Sequence, residues 1–139
     1  MRQKYRICEV VFILLFGFLL SAAGDLPSVS AAKLLMNKKA FHGRVISVDG
    51  LVRFDRLSQR GFLYQNLRDM GNRDYRRTIF LELGNENFSS LKIPDGTHVV
   101  VTGYLSKELR GPLGVYAGHI IVDRIQVLTE KSRNSKAGN

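Results

Sequence analysis

The stretch Gly43-Arg44-Val45-Ile46-Ser47-Val48-Asp49-Gly50-Leu51-Val52-Arg53-Phe54 constrains the fold more than any other part of the chain. Apolar residues recur at alternate positions. An extended strand therefore turns Ile46, Val48, Val52 and Phe54, with Gly50 among them, to one side, and Val45, Ser47, Asp49, Leu51 and Arg53 to the other. A glycine inside such a strand marks a sharp bend or a close backbone approach. One long bent strand shared by both halves of a curved sheet is what a small closed barrel requires.

Four more extended segments follow, at residues 62–67, 78–83, 97–105 and 117–128. In the third strand of the series Ile79, Leu81 and Leu83 oppose Thr78, Phe80 and Glu82. In the fourth, His98, Val100, Thr102 and Tyr104 alternate with Val99, Val101, Gly103 and Leu105. Turn chemistry separates the segments: a polar connection ending at Gly61, a highly charged stretch at 68–77 around Gly71-Asn72, the Pro94-Asp95-Gly96 turn, and a long polar loop at 106–116 bent by Gly111-Pro112 and Gly114. The 68–77 stretch reads as a basic loop. Residues 88–93 offer Phe88, Leu91 and Ile93 for one or two helical turns that would cap the open end of a barrel. The pattern predicts an all-β chain, a five-stranded Greek-key barrel over residues 41–128 with a short helix between strands 3 and 4. An open meander or half-closed sandwich of the same strands is the alternative.

Both ends lie outside that pattern. Arg2, Lys4 and Arg6 precede an apolar run of 11 residues from Val10 to Leu20, and Ser21-Ala22-Ala23-Gly24 supplies small residues for a cut before Asp25 or after Ala23. Residues 1–24 therefore read as a signal peptide. An uncleaved anchor is the competing reading, but a span needs about 20 apolar residues. Residues 25–40 are expected as an N-terminal arm or a short helix, with Leu34, Leu35 and Phe41 to pin it. Residues 129–139 read as a disordered basic tail.

The single cysteine, Cys8, lies within the predicted leader, so the processed chain would have no disulfide, thiol nucleophile or sulfur metal site. The formal charge of +9 falls to +7 once Arg2, Lys4, Arg6 and Glu9 are removed. An excess of that sign attracts polyanions generally. Export to a bacterial periplasm, or secretion, is the location these features imply.

The glycine-bent first strand, with Gly43 and Gly50, the Asp95-Gly96 turn, and the Val99-Val100-Val101-Thr102-Gly103-Tyr104-Leu105 strand that closes on glycine resemble the OB-fold superfamily, in particular exported bacterial and tRNA-anticodon-binding-like domains. The resemblance covers about residues 41–128, and its matched features are barrel-building ones. It implies a module that binds single-stranded nucleic acid, oligosaccharides or proteins. The surface it implies is the outer face of strands one to three with the two long loops.

On that surface the candidate binding residues are Arg53, Arg56 and Arg60 from the first hairpin, Tyr64 from the second strand, and Arg68, Tyr75, Arg76 and Arg77 from the basic loop. Phe80 from the third strand and Lys107, Arg110 and Tyr116 from the second loop complete the set. Planar rings stack on bases or sugar faces, and guanidinium groups grip phosphates or carboxylates bidentately. Ordinary solvated arginines and barrel-packing tyrosines are the bland alternative for the same residues. His42, His98 and His119 lack nearby ligand partners, so no metal or other cofactor is expected. Asp55, Asp69, Asp74, Arg77, Glu82 and Arg124 are the residue types of a nuclease site but follow no such pattern, and no catalysis is expected. Glu82 reads as a surface partner of Arg77 or Arg124.

The partner these features point to is a protein or an anionic envelope polymer. Single-stranded nucleic acid, or a structural role as an accessory subunit of an envelope complex, is the alternative. Nothing in the sequence sets the oligomeric state, and no stable membrane span is expected after cleavage.

Overall fold

A computed structural model describes residues 26–84 and 91–129. The chain enters through β1 (Ser28–Ser30), helix α1 (Ala31–Met36) and the single turn α2 (Lys38–Phe41). It then builds β2 (Val45–Asp55), β3 (Arg60–Tyr64), β4 (Ile79–Glu82), β5 (Thr97–Leu105) and β6 (Gly118–Val127), the five strands expected from the sequence. Helix α3 (Leu67–Asn72) and a 3₁₀ turn (Tyr75–Arg77) lie between β3 and β4, and a second 3₁₀ turn (Pro112–Gly114) lies between β5 and β6.

Strand β2 serves both halves of a closed barrel. Its first part pairs antiparallel with β5, from Val45↔Tyr104 to Val52↔Thr97, and its last part pairs with β3, from Leu51↔Tyr64 to Asp55↔Arg60. The handover occurs beside Gly50, where a Cβ atom would sit 2.8 Å from the Tyr64 carbonyl oxygen and 3.0 Å from Leu63 Cγ. Only glycine lets the two backbones approach so closely. Antiparallel β3–β4, parallel β4–β6 and antiparallel β6–β5 pairings complete the circuit. A register shift at Thr102/Gly103 bends β5, and a Cβ on Gly103 would lie 2.2 Å from the Ile121 carbonyl oxygen. This is the closed OB-type barrel, with β1 added in parallel along β2 from Ser28↔Ser47 to Ser30↔Asp49.

The inward faces follow the alternation read from the sequence. Ile46, Val48, Val52 and Phe54 of β2 join Leu63, Ile79, Leu81, Val99, Val101, Leu105 and Ile120 in one core. Each fully buried aliphatic side chain contributes about 1.5–3 kcal/mol relative to exposure. The N-terminal segment belongs to the same core. The Ser30 hydroxyl caps α1 by accepting from the Lys33 amide at 3.2 Å, and the helix buries Ala31 and Leu34 among the barrel side chains. Leu35 and Phe41 are partly buried against them.

Two stretches depart from the sequence reading. The second strand ends at Tyr64, not at 67, because Asn66 caps a helix there: its Oδ1 accepts from the Asp69 amide at 2.8 Å. The charged 68–77 stretch is accordingly a helix and a 3₁₀ turn, not an open loop. Its organising group is the buried carboxylate of Asp69, which accepts from the side chains of Gln65 and Asn66 and from Arg77 Nη1 at 3.1 Å. The helix ends at Arg73 in the left-handed conformation, φ 51°. The turns expected at 88–93 fall mostly on residues outside those described, and Leu91 to Ile93 have no regular structure. The leader at 1–24 and nearly all of the tail at 129–139 also lie outside the described residues.

Candidate functional site

Strand register brings outward side chains far apart in sequence into one row across four strands. Arg53 stands opposite Phe62, Phe62 opposite Phe80, and Phe80 beside His119. The rings touch: Phe62 and Phe80 have centroids 5.9 Å apart, and Phe80 and His119 5.0 Å, both edge to face. Tyr116, from the loop between β5 and β6, stacks on Phe62 at 5.7 Å and lies tilted against Phe80 at 5.4 Å, and Tyr75 meets Tyr116 edge-on at 5.3 Å. Such pairs contribute about 0.5–1.5 kcal/mol each beyond the area they bury.

Hydrogen bonds seat the loop that brings Tyr116. At its start the Ser106 amide donates to the His119 carbonyl at 2.9 Å. At its end the Ala117 amide donates to the carbonyls of Tyr75 and Thr78, both at 3.0 Å. In the middle, the Gly111 amide donates to Nδ1 of His119 at 3.0 Å. Gly111 has φ +68°, and a Cβ there would lie 2.4 Å from Tyr116 Cδ2 and 3.0 Å from Phe80 Cγ, so its bare backbone lies directly on the rings. The other ring nitrogen, Nε2, lies 2.6 Å from Glu82 Oε2. Since Nδ1 accepts a hydrogen bond from the Gly111 amide, the neutral ring carries its proton on Nε2, which donates a hydrogen bond to Glu82.

Beside this cluster opens a groove of about 340 Å³. Phe62, Tyr64, Tyr75 and Tyr116 form its aromatic side, and Arg53, Arg56, Arg60 and Arg73 bring cations to it. Two carboxylates also face it, and both are engaged. Asp55 holds the β2–β3 turn by accepting from the amides of Leu57 and Ser58 and from the Ser58 hydroxyl at 2.6 Å, bonds that hold its pKa below the usual value. Asp95 accepts from the Phe54 amide at 3.0 Å and lies 3.8 Å from Arg53 Nε. No carboxylate is within ion-pair distance of Arg56, Arg60 or Arg73 among the described residues. Burial, together with the neighbouring Tyr75 ring in the case of Tyr116, pushes the phenols of Tyr64 and Tyr116 up in pKa, so both remain protonated donors at neutral pH.

Of the twelve candidates from the sequence, the structure brings Arg53, Arg56, Arg60, Tyr64, Tyr75 and Tyr116 together at this groove. Phe80 lies beneath Tyr116, roofed by Gly111. Arg77 is tied to Asp69, and the stem of Lys107 lies where a Cβ on Gly43 would fall, 2.8 Å from Lys107 Cε. Arg68, Arg76 and Arg110 are exposed away from the groove lining. Sequence reasoning passed over Phe62 and Arg73. Phe62 shares the strand face of Tyr64 and was legible from alternation, whereas Arg73 comes to the groove only through the unforeseen helix.

The acidic residues are dispersed. Asp74 caps the 3₁₀ turn by accepting from the Arg76 amide at 2.9 Å, and Glu82 meets His119 where the sequence reading paired it with Arg77 or Arg124. Among the described residues no group of three or more His, Cys, Asp and Glu side chains could hold a metal ion. The His119–Glu82 pair has the residue types of an acid–base dyad, but the Nδ1 lone pair is spent on the Gly111 amide.

No protein-family model and no curated protein matches this sequence. Among solved structures, a candidate aspartyl-tRNA synthetase from Leishmania major Friedlin is similar over 77% of this chain, with TM-score 0.50 and 11% identity, and the chain spans 21% of that protein. A DUF3299 family protein from Pseudomonas aeruginosa PAO1 is similar over 66% of this chain and 65% of its own, with TM-score 0.42 and 9% identity. At such identities the likeness concerns the barrel alone. The chain is a small OB-type barrel bearing an aromatic patch. Among the described residues no helix is long and apolar enough to cross a membrane.

Proposed function

We propose that this chain is an exported, non-enzymatic binding module that takes an anionic envelope polymer in the groove between the β2–β3 hairpin and the β5–β6 loop. The observation that carries this reading is three groove arginines, Arg56, Arg60 and Arg73, beside an aromatic wall and with no carboxylate in ion-pair distance among the described residues, Arg60 feeling the charge of Asp55 from further off. Guanidinium groups grip phosphate or carboxylate bidentately, and the Phe62 and Tyr116 rings offer faces to a sugar or other flat group. The protonated phenols add hydrogen-bond donors. Export to a bacterial periplasm rests on the leader-like residues 1–24 and on the absence of cysteine after them.

Single-stranded nucleic acid is the second reading, favoured by the stacked rings beside cations. Comparing binding of lipopolysaccharide, peptidoglycan fragments and single-stranded DNA at two salt concentrations separates the two. Selective retention of an envelope polymer at the higher salt, lost on Arg60→Ala, supports the first reading. Preference for DNA with a steep fall in affinity as salt rises supports the second. Weak, salt-abolished binding to all three rejects both.

A further inference from the structure

We propose that His119 is a pH-responsive latch on the loop that walls the groove, a regulation that rests on reading the groove as a ligand site. The ring is buried, 5% exposed, and its two nitrogens are committed in opposite senses. The Gly111 amide can only donate, so Nδ1 facing it at 3.0 Å must offer a lone pair. Nε2 then holds the single ring proton and donates to Glu82 at 2.6 Å. The neutral ring satisfies both neighbours, and the doubly protonated ring cannot: it sets one N–H against another at the Gly111 contact.

Protonation acts at one end only. At Nε2 the Glu82 carboxylate already accepts, and a charge-assisted bond there is stronger than a neutral one, so the imidazolium stays on Glu82 while Gly111 withdraws. Gly111 lies on Phe80 and Tyr116, so its withdrawal uncovers the first ring and removes one contact from the second, a groove wall that Phe62 and Tyr75 still flank. The loop's terminal anchors, Ser106 to the His119 carbonyl and Ala117 to the carbonyls of Tyr75 and Thr78, are backbone bonds with no titrating partner. Opening is thereby confined to the residues between them.

The ionisable groups around His119 are few. Glu82 of β4 is within ion-pair distance of the ring. The register that pairs Gly61 with Leu81 carries Arg60 of β3 next to Glu82. The loop contributes the Tyr116 phenol, held protonated by burial, together with the exposed side chains of Lys107, Glu108 and Arg110. The 3₁₀ turn contributes Tyr75, against Tyr116. On β6 the flanking residues, Gly118 and Ile120, carry no charge. Histidine is the side chain that ordinarily changes charge between about pH 5 and 8, and acidification therefore opens the latch.

Amide hydrogen exchange followed by NMR on the full chain tests this without any ligand. Between about pH 8 and about pH 5.5, protection at the Gly111 amide should fall about tenfold after correction for intrinsic exchange, the worth of one hydrogen bond, while Ala117 stays protected. His119→Asn keeps an acceptor oxygen near the Nδ1 position and cannot titrate, so protection at Gly111 should become independent of pH. Glu82→Gln keeps the acceptor but removes the charge that favours the imidazolium, so the loss of protection at Gly111 should require more acid than in the parent chain. Lipopolysaccharide affinity should fall about 3- to 10-fold in step with the opening. Unchanged protection at Gly111, parallel loss at Ala117, or the same loss in His119→Asn overturns the latch. An opening latch with no binding of lipopolysaccharide, peptidoglycan fragments or single-stranded DNA at any pH upholds the latch and rejects the groove as their site.

Discussion

Two of the grooves among the described residues touch β2, and they are furnished differently. The second, of about 290 Å³, lies where the chain enters β1 and is lined by Ser28, Ser47, Val100, Arg124 and Gln126, with Leu26, Pro27 and Leu128 at its sides. Its β2 side chain, Ser47, is buried with its hydroxyl 3.0 Å from that of Thr102, so the hydroxyl at its base already has a partner. The first groove has rings at its wall and, beside the Arg53–Asp95 pair, three arginines, Arg56, Arg60 and Arg73, with no carboxylate in ion-pair distance among the described residues. A hydroxyl already partnered offers a ligand little that water does not. Cations held beside a hydrophobic wall offer it charge and contact area together.

The contrast can be tested by substitutions on each side. The largest effect is expected at the β5–β6 pairing that helps close the barrel. Gly103→Ala places a Cβ 2.2 Å from the Ile121 carbonyl and should break the β5–β6 bulge, lowering stability in a denaturant titration by about 3 kcal/mol or more. Next, Arg60→Ala combined with Arg73→Ala should weaken lipopolysaccharide binding about 10- to 100-fold at low salt, whereas Arg124→Ala in the second groove should change it by about twofold or less. Equal losses from the two would erase the distinction between the grooves.

Smaller effects sharpen the account of the wall. Gly111→Ala and Gly114→Ala both force a side chain into positive φ, +68° and +65°, but only the first meets rings; nothing lies within 4 Å of a Cβ on Gly114. Unfolding midpoints should show a loss of about 2 kcal/mol for the first and about 1 kcal/mol for the second. The smallest effect is alkaline. Tyr64 and Tyr116 have pKa values raised above 10.0, so the folded state holds their protons more tightly than the unfolded chain. The stability this provides is present below pH 10.0 and is lost as pH rises through the folded-state values. An ultraviolet titration should show tyrosines ionising late, and Tyr116→Phe should remove one of them.

Much of the barrel was legible. The β5 range was readable to the residue, and the inward side of β2 matches its alternating pattern, because a period of two is a local property that needs no partner strand. Gly50 could be read as a bend because a glycine amid β-branched residues has few other uses. Helix α3 was missed since Gly71-Asn72 is strong turn chemistry, and the signal that outweighed it, Asn66 capping ahead of a buried Asp69, needs the fold around it to bury that carboxylate. His119 read as an isolated histidine. Its partners, Glu82 and Gly111, lie on another strand and in a loop.

What the sequence determined by itself is the alternation that turns one side of each strand inward; closure into a barrel, not an open meander or half-closed sandwich, came with the β2–β5 and β4–β6 pairings. Each strand's inner face follows from the alternation of its own side chains. What the tertiary structure decided is which outward residues become neighbours. Arg53, Phe62, Phe80 and His119 form a row only because turn geometry, the bend at Gly50 and core packing set the register between strands, and a slip of one residue would turn each of those side chains to the other face.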